Sequence, residues 1–289
     1  TTASAGRASN TTAAHYNYIV KERIFCFKVL IEKLLYRCQG IDKLFVLIRE
    51  KKNMSPQQRL QMMFNQPVFD RLRNEKPSAL DKIIPIGGDL SQPELGIKAK
   101  DEKILTDSVS HVFHMGATVN FRESLEVAMN YNVMGTERIL DLCHRMKTIK
   151  SLVFVSTGYS QTDKKIIDEV LYPSPVPLRN IRVFIKIAGN RPNTYTLSKA
   201  VAESLIDEKH GNIPAIIVRP TIGENTCITN NILINYRVTI LRYAQKLLYL
   251  KLLITRKMVS GLQNLISKKN QFNSDTLQRF NFTNIRKGT

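Results

Sequence analysis

Five short runs of β-branched and large apolar residues, KLFVLI (43–48), KIIPI (82–86), SHVFHM (110–115), SLVFVS (151–156) and AIIVR (215–219), alternate with helical patterns between positions 16 and 220. Each run is apolar on both faces, a composition that suits a sheet covered on both sides. Strands that alternate with helices in this way give a parallel sheet with crossover helices. The helical patterns fall at 29–36, 55–73, 125–146 and 194–210, the last with Asn193 or Thr194 to cap its start and Gly211 to stop it. The expected fold is a Rossmann-like, doubly wound α/β domain over 16–227. A polar leader (1–15), expected to be disordered, precedes it, and a short helical basic appendage (228–289) follows.

Charge narrows the partners. In 289 residues, 43 Lys and Arg stand against 24 Asp and Glu, a net charge of +19. That balance favours anionic lipid, phosphorylated cofactors or nucleic acid. From Ile228 onward eleven Lys or Arg stand against one acid, Asp275. The stretch 231–254 is apolar but interrupted by Arg237, Arg242, Lys246 and Lys251. It reads as an amphipathic helix, lying on an anionic membrane surface or packing on the domain. No motif interleaves basic and aromatic residues for nucleic acid, so none is expected as a partner. Cys26, Cys38, Cys143 and Cys227 lack paired spacing and read as reduced thiols. His111 and His114 stand at an odd separation in one strand and so face opposite sides, which does not suit metal ligation.

Chemistry concentrates in Y-T-L-S-K, Tyr195 to Lys199. The i, i+4 spacing puts phenol and ammonium on one helix face, where the cation eases proton release from the phenol. A phenol tuned in this way gives a proton to a carbonyl oxygen as hydride reaches its carbon. Alone, such a pair is equally an ordinary solvated helix contact. Upstream, SLVFVS runs into S-T-G-Y and sets the hydroxyls of Ser156 and Thr157 at the carboxyl edge of the sheet, where open α/β folds bind ligands. Val153 and Val155 share one face, so Ser156 points to the other, and Thr157, freer to face the crevice, is the preferred candidate. A strand-end hydroxyl that caps its own turn is the ordinary alternative.

The segments H-V-F-H-M-G-A-T-V-N-F, N-V-M-G-T, F-V-S-T-G-Y-S, R-P-N-T-Y-T-L-S-K-A and I-V-R-P-T-I together resemble the reductase domain of the fatty acyl-CoA reductases, extended short-chain dehydrogenases. K-V-L-I-E-K-L-L, S-P-Q-Q-R-L, F-D-R-L-R and G-D-L-S-Q-P-E-L-G are similar to the same family's early segments, and the likeness runs in order over 16–226. It implies NADPH-dependent reduction of a long-chain fatty acyl-CoA, through an aldehyde, to a fatty alcohol. By position it implies Tyr195 as proton donor and Lys199 on the nicotinamide ribose, with Thr157, or Ser156 beside it, on the carbonyl oxygen. It implies Asp89 and Leu90 at the adenine, with His114, Gly116 and Ala117 beneath the adenosine. Arg49 would meet the ribose 2′-phosphate, unless it is only a solvated strand-end cation, and Pro220, Thr221 and Ile222 would flank the nicotinamide. The family is associated with endoplasmic reticulum or peroxisomal membrane, which is the location expected for this chain.

Two departures stand out. Aligned on K-V-L-I-E-K-L-L, the three glycines of the family's phosphate turn fall on Lys21, Ile24 and Phe27. Such glycines make the tight turn, admit the pyrophosphate to the backbone and let helix and strand pack closely. Either the chain is a relative that has lost cofactor binding and keeps acyl-CoA or membrane binding, or the segment is misread at the nucleic-acid level. The second departure is the C-terminal part, where only scattered likeness to the family's acyl-enclosing helical domain remains and a truncated remnant is expected.

Overall fold

The computed structural model describes residues 14–19, 25–38, 40–51, 53–164, 166–175, 193–220, 225–228, 231–234 and 238–242, all in the unit that ends at Tyr243. Strands β1 (Ala14–Ile19), β2 (Ile41–Ile48), β3 (Ile83–Gly87), β4 (His111–His114), β5 (Ser151–Val155) and β6 (Ala215–Pro220) pair in parallel, in the order β3-β2-β1-β4-β5-β6. This is a doubly wound sheet whose order reverses between β1 and β4, so the crevice for a ligand opens at the carboxyl ends of the strands.

Burial explains why the runs form strands. In β2 every residue from Leu44 to Ile48 is buried, alternate side chains feeding opposite faces. On one face Phe45, Leu47, Val112, Leu152 and Phe154 meet Ile139, Leu140, Val201 and Leu205 of helices α6 (Gly135–Arg145) and α7 (Thr194–Lys209). Helix α1 (Phe25–Arg37) buries Phe27, Ile31 and Leu35. Helix α7 starts at Asn193, whose side chain accepts from Thr196 N–H at 2.9 Å, and beyond its end Gly211 adopts φ +55°. Those are the start and stop that the sequence marks.

Four differences from the sequence reading have physical causes. The pattern at 55–73 is broken into α2 (Pro56–Phe64) and α3 (Asp70–Glu75) by a 3₁₀ turn, Pro67–Phe69, since proline supplies no amide donor. Helix α4 (Ala99–Ser108) is unanticipated because only Leu105 of it is buried, so no apolar stripe announces it. The helix expected at 125–146 forms as α5 (Leu125–Met129) and α6 joined by a π turn, Asn130–Met134. Finally, a short hairpin of β7 (Asn225–Ile228) with β8 (Asn231–Ile234), and β9 (Val238–Arg242), occupy a stretch largely expected to be helical. V-T-I-L-R is rich in β-branched residues, and β6 offers an open edge to which β9 adds antiparallel. Among the described residues the sheet thus has seven strands and runs past the boundary expected at 227. The rest of the basic tail, and the membrane contact expected of it, lie outside the described residues.

Candidate functional site

The carboxyl ends of β4, β5 and β6 converge with the first two turns of α7. Lys199 is 1% exposed. Its Nζ donates to the Val155 carbonyl at 2.6 Å and lies 4.0 Å from the centre of the Phe154 ring. Burial lowers its pKa from 10.5 to about 7, against the opposing pull of the Glu203 carboxylate one helical turn on. Tyr195 is half-buried and its ring lies 5.7 Å from that of Phe121, a 61% exposed side chain. The i, i+4 pair is therefore set into the domain at the mouth of the crevice, one member wet and one dry.

The strand end supplies the hydroxyls, and the two differ. Backbone pairing with β6 continues past β5, with Ser156 N–H bonded to Val218 O at 2.8 Å and Gly158 N–H to Pro220 O at 2.8 Å. Thr157 Oγ1 accepts from Tyr159 N–H at 3.2 Å, which leaves its own proton to donate. Ser156 is turned the other way: its hydroxyl donates to buried Glu203 Oε1. The Ser156 proton is thereby directed to Glu203 and away from the strand end, where Thr157 is the other hydroxyl expected at the carbonyl. The Ser156 face of β5 is the one that meets α7, as the alternation through Leu152 and Phe154 requires.

His114 is fully buried. Thr136 Oγ donates to Asn132 O at 2.6 Å, so its oxygen receives the N–H of His114 Nε2, at 2.9 Å. The ring is thus the Nε2–H tautomer. Burial, then the nearby Lys199 charge, holds its pKa down at about 3 and the imidazole neutral. Gly116 and Ala117 are also buried just beyond it. The π turn aims Asn132 inward: its side chain accepts from Thr118 N–H at 2.7 Å and donates to Ser198 Oγ at 2.8 Å, and Ser198 Oγ in turn donates to Tyr195 O at 2.9 Å. Asn132, Thr136 and Ser198 were not singled out as site residues. The available signal was N-V-M-G-T, whose polar residues fall on a buried helical face.

At the ends of β2 and β3, Arg49 Nη1 donates to Tyr131 Oη at 2.7 Å and lies 3.5 Å from Asp89 Oδ2, with the Arg49 side chain still 37% exposed. Asp89 Oδ1 accepts from Ser91 N–H and Oγ at 3.0 and 2.9 Å. Leu90 is buried in the core and offers its backbone carbonyl to Arg138 at 2.7 Å. Gly88 permits this corner, because a Cβ there would come within 2.3 Å of Leu47 Cδ1 and 2.9 Å of Leu95 O. Pro220 closes β6 next to Gly158. Thr221, Ile222, Lys21 and Ile24 lie outside the described residues. Phe27, the third position where a glycine is expected, is 1% exposed.

The resemblance assigns Arg49 and Asp89 to the adenosine side of a nicotinamide dinucleotide and Tyr195, Lys199 and Thr157 to its nicotinamide side. At the start of α1, where the resemblance expects a glycine, stands the full aromatic ring of Phe27.

Comparison with known proteins agrees with this architecture. Residues 25–257 match the NAD-binding family described as Male sterility protein. The chain is 37% identical over 211 residues to "Fatty acyl-CoA reductase 1" of Mus musculus and 38% identical over 211 residues to that of Xenopus laevis. Each alignment covers 68% of this chain and 41% of the relative, so the chain spans well under half the length of the curated relatives it matches. Among solved structures it is similar to the terminal R domain from the myxalamid PKS-NRPS biosynthetic pathway, with a TM-score of 0.54 and 26% identity, over 72% of this chain and 49% of that one.

The buried lysine gives a prediction for stability. An unfolded lysine titrates at 10.5 and Lys199 at about 7, so between those values the unfolded chain holds the extra proton and stability rises with pH. The burial penalty is absent above 10.5 and complete below about 7. Lys199→Met removes it. Its melting temperature relative to the parent should be most favourable near pH ~6 and decline toward pH ~9.5. A difference that stays flat across that range contradicts titration of a buried ammonium at this site.

Proposed function

Because the chain belongs to the Male sterility protein family, we propose that it is the reductase domain of a fatty acyl-CoA reductase, acting on a long-chain acyl-CoA and its aldehyde with NADPH. The observation that carries this reading is the buried Lys199 one turn from half-buried Tyr195, beside a Thr157 hydroxyl whose proton is free to donate. The cofactor, when bound, supplies the hydride. The chain's own groups do the rest. Thr157 Oγ–H orients the carbonyl oxygen, Tyr195 Oη–H delivers the proton that the oxygen takes up, and the Lys199 ammonium stabilises the phenolate left behind. Arg49, exposed on one side and held on the other by Tyr131, supports NADPH over NADH through a bidentate fork for a 2′-phosphate. The phosphate turn, with Lys21, Ile24 and Phe27 in place of glycines, weakens cofactor binding, so turnover is expected only at high cofactor concentration.

The test is the appearance of fatty alcohol from a long-chain acyl-CoA or aldehyde at NADPH concentrations of about 1 mM or more. Tyr195→Phe keeps the ring and removes the proton donor, so its rate should fall by roughly 10²- to 10⁴-fold. Lys199→Met combined with it should add little, because residues that act as a unit lose non-additively. A Tyr195→Phe variant with most of the parent activity would sink the assignment.

The eleven cations against one acid from Ile228 onward support an anionic surface, of endoplasmic reticulum or peroxisomal membrane, as the place of action. Co-sedimentation should rise with anionic lipid and fall with salt. Equal recovery on neutral vesicles would remove the membrane from the reading.

A further inference from the structure

One turn beyond Lys199 on the same buried face of α7, Glu203 meets Arg219 of β6, with side chains 2% and 0% exposed. Arg219 Nε donates to Glu203 Oε1 at 2.9 Å and Nη2 to Oε2 at 2.7 Å. The remaining guanidinium nitrogen donates to the Asp168 carbonyl at 3.3 Å, and Ser156 O–H donates to Glu203 Oε1. Cohesion alone is a weak account of this pair, since a buried ion pair is often replaceable by apolar side chains of similar volume without loss of stability.

What the carboxylate touches gives it a second role. Ser156 stands between Val155, whose carbonyl receives the Lys199 ammonium, and Thr157, whose hydroxyl oxygen accepts from Tyr159 N–H. Glu203 therefore acts on Lys199 twice, through the field of its charge along α7 and through the strand end that it anchors. We infer that Glu203 is a positioning residue for the Tyr195–Lys199 pair, keeping the proton on Lys199 and fixing the β5 end that presents the Val155 carbonyl and Thr157, with Arg219 holding that carboxylate in place through two hydrogen bonds. The inference rests on the reading of Tyr195 and Lys199 as the proton-transfer pair.

The groups around Lys199 leave this role to Glu203. From β4 comes His114, held neutral by burial and by Lys199 itself, and from β5 come the Phe154 ring and the Val155 carbonyl, which carry no charge. Tyr195 stands one turn earlier on α7, and Arg219 of β6 is committed to Glu203. Among the described residues, the Glu203 carboxylate is the charge that favours the ammonium, and it opposes the desolvation that takes the Lys199 pKa to about 7.

The experiment follows the Lys199 side-chain carbon signal by NMR across a pH series in the full chain, with Lys199→Met identifying the resonance. Neither cofactor nor turnover is needed, so failure here is separable from failure of the reductase reading. Glu203→Leu with Arg219→Met removes both charges at similar volume, while Glu203→Gln leaves Arg219 unopposed. The Lys199 midpoint should fall by about one pH unit or more in the double variant, and further in Glu203→Gln. A folded double variant whose Lys199 titrates as in the parent overturns the inference. So does failure of both variants to fold, which would make the pair a structural clamp.

Discussion

The burial of one ammonium organises the centre of this domain. A cation taken out of water costs several kcal/mol even after relaxation, and Lys199 is 1% exposed at the meeting point of β4, β5 and α7. Three partners offset that cost: the Val155 carbonyl at 2.6 Å, the Phe154 ring at 4.0 Å and the Glu203 carboxylate. Each requires a particular neighbour. The carbonyl is available because β5 ends at Val155, the ring because Phe154 faces α7, and the carboxylate because Arg219 on the adjacent strand compensates it. His114, placed at the end of β4, is kept neutral by the same environment. Strand order, helix register and the protonation of two titratable groups are therefore aspects of one constraint.

That constraint was partly legible in the sequence. The strands around the site announced themselves because runs apolar on both faces have few other uses, and the punctuation of α7 by Asn193 and Gly211 fixed the helix that carries Tyr195 and Lys199. The side-chain period of two put Ser156 on the face opposite Val153 and Val155, and that face is the one that meets α7. Other features have no local signature. The π turn at Asn130–Met134 starts at a carbonyl that accepts from Arg138, which also donates to Leu90 O, at 3.2 and 2.7 Å, the latter a contact across 48 residues of chain. Glu203 lies at readable i, i+4 spacing from Lys199, but its partner on β6 is a product of strand order. Helix α4, with one buried residue, has no periodicity to read, and β9 is a strand because β6 had an open edge.

A tension remains between two ends of one site. The corner proposed for catalysis is assembled from side chains whose donors and acceptors match, whereas the sequence has Lys21, Ile24 and Phe27 where the resemblance puts the glycines of the phosphate turn. Phe27 is more than an obstruction, since it is among the largest fully buried side chains of the domain. Reverting it to glycine would open a cavity, at a cost of roughly 3–5 kcal/mol for loss of a buried aromatic, and would place a flexible residue in the first turn of α1. The packing around α1 includes this ring. The proposed weakening of cofactor binding at the phosphate turn and the proposed proton transfer at Tyr195 and Lys199 are thus separable in this chain.

The direct measure of that separation is the affinity of the unaltered chain for NADPH, by calorimetric titration. Losing two charge-assisted hydrogen bonds to phosphate costs roughly 3–6 kcal/mol, which moves a micromolar site to a Kd of about 0.1 mM or weaker. Binding in that range, with Lys199 still titrating near 7, is what this account requires. A micromolar Kd for the chain as it stands would contradict it, and would mean that Lys21, Ile24 and Phe27 form a working phosphate turn of another kind.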